Sequence, residues 1–179
     1  MLTNENTVLT LVDVQAKLIP VMYEKDLLIK QLKTLVQGAV CMGLPVLWLE
    51  QYPKGLGPTI PDIGELLTGN SPIAKTSFSA LGSTEFRQKL QEFGRSNVLI
   101  AGIESHICVY QTACDLLNEG YHIEVAVDAI TSRTKANNDI GIERMKQSGA
   151  NLTSVEMCLF ELLKTAESTD FKRIATLVK

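Results

Sequence analysis

A three-layer α/β/α fold on a mainly parallel sheet of about six strands is what this 179-residue sequence predicts. Three observations carry it. Short apolar, β-branched runs of strand length recur along the chain. Amphipathic stretches of helix length lie between them. The two kinds alternate from end to end, with no internal repeat and no linker. Continuous apolar runs, rather than alternating ones, mark parallel strands buried on both faces. Residues 1–179 read as one domain, long enough for a substantial core.

The elements follow in order. Thr7 to Val12 is an apolar run ending at Asp13, a buried strand. Asp26 is placed to cap a helix running to about Met42, with Gly43 as its stop. Pro45 to Leu49 is the second strand. A long loop follows, Glu50 to Pro61, with three prolines and two glycines; such loops are usually functional or mobile. Ile63 to Leu67 is a short helix and Pro72 to Lys75 a short third strand. Ser83 to Phe93 is a helix whose Ser-x-x-Phe start lacks a full capping box. Asn97 to Ala101 is a strand, His106 to Glu119 a helix ended by Gly120, and Ile123 to Val127 a strand. Asn138 to Gln147 is a helix ended by Gly149. Asn151 to Thr153 is a last short strand, followed by helix from about Val155 and a final helix over Asp170 to Leu177. The pattern is Rossmann-like, and ligands in such sheets bind outside the carboxyl ends of the strands.

Composition narrows the function. Apolar residues make up 45% and charged residues 21%, as in a globular protein, and the net charge of −3 is mild. No basic run points to nucleic acid, and no apolar stretch approaches membrane-spanning length. Met1 to Thr7 is short and polar, unlike a signal or transit peptide. Four scattered cysteines do not look like a disulfide scaffold. The cytoplasm is the default compartment.

The most informative position is Cys108. It follows the Asn97–Ala101 strand and the turn Gly102-Ile103-Glu104-Ser105, in the first turn of a helix. Free N–H groups and the positive end of a helix favour thiolate over thiol, so the sequence predicts a depressed thiol pKa and a nucleophile. The alternative is packing, since free cysteine is among the most buried residue types; Cys41, Cys114 and Cys158 are read that way. Asp13 and Lys75 also sit directly at strand ends. A carboxylate, an ammonium and a thiol at one sheet edge form a coherent set: the lysine steadies thiolate, and the aspartate accepts the thiol proton and returns it to a leaving amine. The Gly102–Ser105 turn is a natural place for an oxyanion hole.

Three segments carry a family resemblance: Leu11-Val12-Asp13-Val14-Gln15, Lys75-Thr76-Ser77-Phe78-Ser79, and Gly102-Ile103-Glu104-Ser105-His106-Ile107-Cys108-Val109. In this order, at strand ends, they resemble the isochorismatase-like cysteine hydrolases, which include nicotinamidase and N-carbamoylsarcosine amidohydrolase. Glu50-Gln51-Tyr52-Pro53-Lys54-Gly55-Leu56-Gly57 looks like the subgroup of isochorismatase domain-containing proteins. The resemblance implies a catalytic triad of Asp13, Lys75 and Cys108. It further implies an oxyanion hole from the backbone amides of Glu104 and Cys108, a non-proline cis peptide at Ile103–Glu104, and a homo-oligomer (dimer, tetramer or larger). The implied reaction is acyl transfer through Cys108 on a small amide, ureide or carbamoyl substrate, with no metal and no organic cofactor. The metal-binding Asp-x-His pattern of nicotinamidases is replaced here by Trp48-Leu49-Glu50-Gln51-Tyr52, and the chain has two histidines in all. Two other readings stay open: a catalytically idle assembly module, and a same-fold hydrolase of an isochorismate-like ether.

Gln15, Gln51, Tyr52 and Phe78 are candidates for the substrate pocket wall, and Trp48 reads as a core strand residue. Tyr52 and Gln51 begin the long loop, which suits a lid or wall. His106 is two residues from Cys108 and does not face it on a helix, so it reads as a supporting residue rather than half of a Cys-His dyad. Glu104 either contributes only its N–H or points its carboxylate at substrate.

Overall fold

The computed structural model describes residues 1–179. Six strands, β1 (Thr7–Val12), β2 (Val46–Gln51), β3 (Ile73–Lys75), β4 (Asn97–Ile103), β5 (His122–Thr131) and β6 (Asn151–Thr153), form one sheet in the order β3-β2-β1-β4-β5-β6. Every neighbouring pair is parallel. The helices are α1 (Lys25–Cys41), α2 (Pro53–Leu56), α3 (Pro61–Gly64), α4 (Thr84–Phe93), α5 (Tyr110–Asn118), α6 (Lys135–Gln147), α7 (Val155–Leu163) and α8 (Phe171–Leu177). Strand order reverses between β1 and β4, so their carboxyl ends flank the crevice where such folds bind ligands.

Alternation along the central strands explains why both faces are covered. Leu9 and Leu11 of β1 and Leu99, Ala101 and Ile103 of β4 enter one core with α1, α7 and α8 residues such as Leu32, Leu159 and Ile174. Val8 and Val12, with Val98 and Ile100, enter the other with Phe86 and Leu90 of α4, Leu116 of α5 and Met145 of α6. All six residues of β1 and all seven of β4 are buried.

Local structure departs from expectation at several places: α3 covers Pro61–Gly64 rather than Ile63–Leu67, α6 starts at Lys135 behind a Thr134 cap rather than at Asn138, and β4 runs on to Ile103. Asp26 does not cap α1: Glu24 precedes the helix in a left-handed conformation without a side-chain cap, and Asp26 lies in the first turn, where a carboxylate still favours the helix dipole. β5 runs past Val127 to Thr131, because the register shifts opposite Ile100 and Gly102 and the strand resumes after a bulge. Asp128 there accepts the Val155 N–H at 2.9 Å, at the start of α7. The Glu50–Pro61 segment is not a free loop. It contains the end of β2 and α2, and it is stitched to residues 14–17 by Ala16 N–H to Pro58 O, Lys17 N–H to Leu56 O and Ile60 N–H to Val14 O. Finally, the helix expected from His106 opens as a wider π-turn over Ser105–Val109, with Val109 N–H bonded to Glu104 O at 3.2 Å, before α5 begins.

Gly102 is required by its backbone. It lies opposite Val12 with φ +117°, and a Cβ there would strike the Val12 backbone. Gly120 also has positive φ, but open space surrounds it. Gly102→Ala should therefore lower stability by more than about 3 kcal/mol, whereas Gly120→Ala costs about 1 kcal/mol. Urea-unfolding midpoints check this, and equal losses would contradict the close-approach argument.

Candidate active site

The site grows from three strand ends. β1 stops at Val12, and Asp13 turns away with φ +54°, a left-handed conformation that aspartate tolerates better than most residues. That turn carries its carboxylate inward, 1% exposed. Lys75 closes β3, and its ammonium meets Asp13 Oδ2 at 2.8 Å with both side chains fully buried. The Lys75 ammonium also donates to Gln51 Oε1 at 2.6 Å and to the carbonyls of Ser77 at 3.2 Å and Phe78 at 3.1 Å. Four acceptors therefore surround three ammonium protons, as a buried cation demands. Cys108, 7% exposed, lies beside Asp13 in the π-turn after β4.

Electrostatics reverse one expectation. The thiol pKa is not depressed; burial first, then the Asp13 carboxylate, push it up to about 12, and Lys75 pulls it back only partly. Burial likewise raises Asp13, against the opposing pull of Lys75. Turn dipoles and a nearby ammonium lose to desolvation plus a neighbouring negative charge. Both shifts favour the protonated form of each group. Asp13 Oδ1 is buried with no hydrogen-bond donor on it.

The expected pocket residues divide. Gln15 is fully buried, and its amide is spent on backbone, donating to Gln51 O at 3.0 Å and Gly57 O at 2.7 Å and accepting from Gln51 N–H at 2.8 Å. Gln51 turns its side chain to Lys75 and to Thr76 O. Both Gln15 amide protons are spent on protein carbonyls, whereas Gln51 commits its oxygen to Lys75 and one amide proton to Thr76 O and keeps its second N–H. Tyr52 and Phe78 are each 54% exposed. Tyr52 borders a cleft of about 420 Å³ with Lys54, Thr76 and Ser83; Lys75 lines it, but Asp13 and Cys108 do not. Trp48 is buried in the core.

The Ile103–Glu104 peptide bond is cis. The Glu104 carboxylate is directed to Arg133, accepting from its guanidinium at 3.1 Å and its backbone N–H at 3.3 Å. His106 Nδ1 lies 2.9 Å from Ser132 Oγ, which meets Ser105 Oγ at 2.5 Å, and Ser105 donates to Asn138 at 2.7 Å. Sequence reasoning missed this network, since Ser132 reaches the turn only because β5 continues beyond its bulge. Gly141 lets α6 press on the same turn: a Cβ there would lie 2.7 Å from the Ser105 carbonyl. Of the other cysteines, Cys158 is buried in the core and Cys41 packs against it, but Cys114 is half-buried beside Ser148 rather than core filler. No group of three or more His, Cys, Asp or Glu side chains is arranged to hold a metal, and no helix is long and apolar enough to cross a membrane.

This doubly wound sheet, with an acid, a lysine and a cysteine at its switch point, is of the isochorismatase type. Residues 7–157 match the family model for the isochorismatase domain, and the chain belongs to that family. Bovine (Bos taurus) isochorismatase domain-containing protein 2 is 36% identical over 174 residues, spanning 97% of this chain and 83% of that protein. A Caenorhabditis elegans structure described as MAR1 ribonuclease superposes with a TM-score of 0.93 at 34% identity, covering 99% of this chain and 91% of that one. The Escherichia coli YcaC gene product, described as an octameric hydrolase of unknown specificity, has a TM-score of 0.93 at 25% identity, covering 98% and 88%.

Two outcomes follow from the buried charges. Lys75→Met leaves the Asp13 carboxylate unpaired and should cost about 3–5 kcal/mol near neutral pH. With the lysine gone, folded Asp13 holds its proton to higher pH than unfolded Asp13, so the deficit shrinks as pH falls; urea unfolding at pH 5 and 7.5 tests this. Folded Cys108 titrates near 12 against an ordinary value of 9.0. Its contribution to stability is complete below pH 9 and is lost as pH rises toward 12. Cys108→Ala should make the alkaline decline shallower by about 1.4 kcal/mol per pH unit across that window.

Proposed function

We propose that this chain is a cysteine hydrolase cleaving a small amide, ureide or carbamoyl substrate through an acyl-enzyme on Cys108, with Asp13, Lys75 and Cys108 as its triad. The observation that carries the reading is the fully buried Asp13–Lys75 pair beside a thiol. Packing alone does not call for it, because taking a carboxylate and an ammonium out of water costs several kcal/mol per ion by general experience.

The steps balance as acyl transfer. Asp13 takes the Cys108 proton as sulfur attacks the substrate carbonyl, and the oxyanion is held by the backbone N–H groups of Glu104 and Cys108. The intermediate collapses, the C–N bond breaks, and Asp13 returns the proton to the leaving amine. Asp13 then deprotonates a water that attacks the thioester, and sulfur leaves and recovers the proton. A carboxyl raised by burial suits both directions of transfer. Lys75 balances the negative charge as it passes between oxygen and sulfur. Neither metal nor organic cofactor enters these steps. RNA is not the substrate in this reading, since the chain carries a net −3 and no basic run. Four free cysteines suit a reducing cytoplasm. The chain acts as a homo-oligomer, as the octameric E. coli neighbour suggests.

Intact-mass spectrometry after exposure to panels of amides, ureides and carbamoyl compounds tests the reading. A covalent adduct on wild type, absent from Cys108→Ala, with turnover reduced at least about 10³-fold in that variant, is the expected result. Turnover that survives Cys108→Ala would exclude the acyl-enzyme, and hydrolysis of an enol ether without any adduct would favour ether chemistry.

A further inference from the structure

We propose that Gln15 and Gln51 are positioning residues, which hold the Lys75 ammonium at the one place where it faces both Asp13 and Cys108. The inference rests on the hydrolase reading and extends it to two side chains engaged with Lys75 and with the backbone around it.

The geometry begins where β1 leaves the sheet. Its last ladder bond to β2 is Asp13 N–H to Leu49 O at 3.1 Å. At Asp13 the backbone turns left-handed, so β1 supplies no main-chain partner for the next rung, Gln51. The Gln15 carboxamide takes that rung instead: its oxygen accepts Gln51 N–H at 2.8 Å, and its nitrogen donates to Gln51 O at 3.0 Å. Its second N–H reaches Gly57 O at 2.7 Å, tying in the segment after β2. A side chain thus replaces the strand and keeps β2 extended for one more residue. The next N–H, Tyr52, bonds Lys75 O at 2.8 Å, so the same extension fixes the Lys75 backbone.

Gln51 then orients the ammonium. An ammonium only donates, so the amide oxygen must face Lys75 and the amide nitrogen must face a carbonyl. The Thr76 carbonyl, 2.8 Å from Gln51 Nε2, selects that orientation. Gln51 Oε1, at 2.6 Å, is the nearest acceptor on Lys75, and apart from Asp13 every acceptor on it is uncharged. Neutrality here matters. The titratable groups facing Cys108 are Asp13 from the end of β1, Lys75 from β3 and Glu104 from the end of β4; the His106 ring is engaged with Ser132. A second carboxylate on Lys75 would divide its charge and leave less of it for sulfur.

The test reads the pH profile of Cys108 alkylation by iodoacetamide, followed by peptide mass spectrometry with buried Cys158 as internal reference and melting temperature in parallel. Gln51→Glu keeps shape and acceptor but adds charge. It should displace the rising limb of the profile by about one pH unit, making Cys108 about tenfold slower at any pH on that limb. Gln51→Met removes the oxygen without adding charge, and Gln15→Met removes the surrogate rung; each should slow Cys108 several-fold at every pH. Folded Gln51→Glu with an unmoved rising limb overturns the proposal, because a merely structural brace would change melting temperature and leave the profile in place. Should Gln51→Glu fail to fold, wild-type rates in folded Gln51→Met and Gln15→Met overturn it instead. Wild-type Cys108 reacting no faster than Cys158 removes the hydrolase reading and this inference with it. Selective wild-type labelling with indifferent variants removes this inference alone.

Discussion

One ion pair sets the terms for the sheet edge. Asp13 and Lys75 lie 62 residues apart in sequence and meet at 2.8 Å with no solvent contact. Such a pair persists only when its remaining hydrogen-bonding capacity is met. That requirement accounts for features without a packing explanation: a left-handed aspartate at the end of β1, a three-residue β3 ending on a lysine, and the two carbonyls of Ser77 and Phe78 turned toward its ammonium. The sheet topology brings the strand ends together; the unsatisfied charge dictates what surrounds them.

The same burial decides the state of sulfur. Helix-end and turn dipoles act over a short range and amount to about half a charge. Desolvation and an adjacent carboxylate outweigh them at Cys108. Burial also raises the affinity of Asp13 for protons, so the two neighbouring groups are shifted in the same direction.

Much of this was legible in the chain. The apolar runs at Thr7–Val12 and Asn97–Ala101 located the two central strands, because strands covered on both faces must be apolar throughout. Ser83 was readable as a cap, and its hydroxyl does accept the Phe86 N–H. Asp13, Lys75 and Cys108 were readable as strand-end polar groups. What was hidden depended on distance through space. A strand that continues past Val127 after a bulge has no local signature, since Asp128 interrupts the apolar run for the sake of α7. The cap assigned to Asp26 failed because composition cannot reveal that Glu24 would turn left-handed. Gln15 and Gln51 read as pocket walls because amides beside a strand-end cluster suit ligands; only the folded backbone shows that both Gln15 amide protons are taken and that Gln51 is turned toward Lys75 and Thr76. The sign of the thiol shift required knowing how deeply sulfur is buried.

Gly141 has a bearing on how this protein would respond to engineering. Replacing helix-interior glycines with alanine is a routine route to thermostability, worth about 1 kcal/mol each in exposed helices. Here the hydrogen that stands where a methyl group would go is what admits α6 against the backbone of Ser105 and His106. A consensus-minded redesign that raised helical propensity at this residue would wedge α6 away from the turn that carries Cys108, so a sturdier helix would come at the expense of the packing beside it.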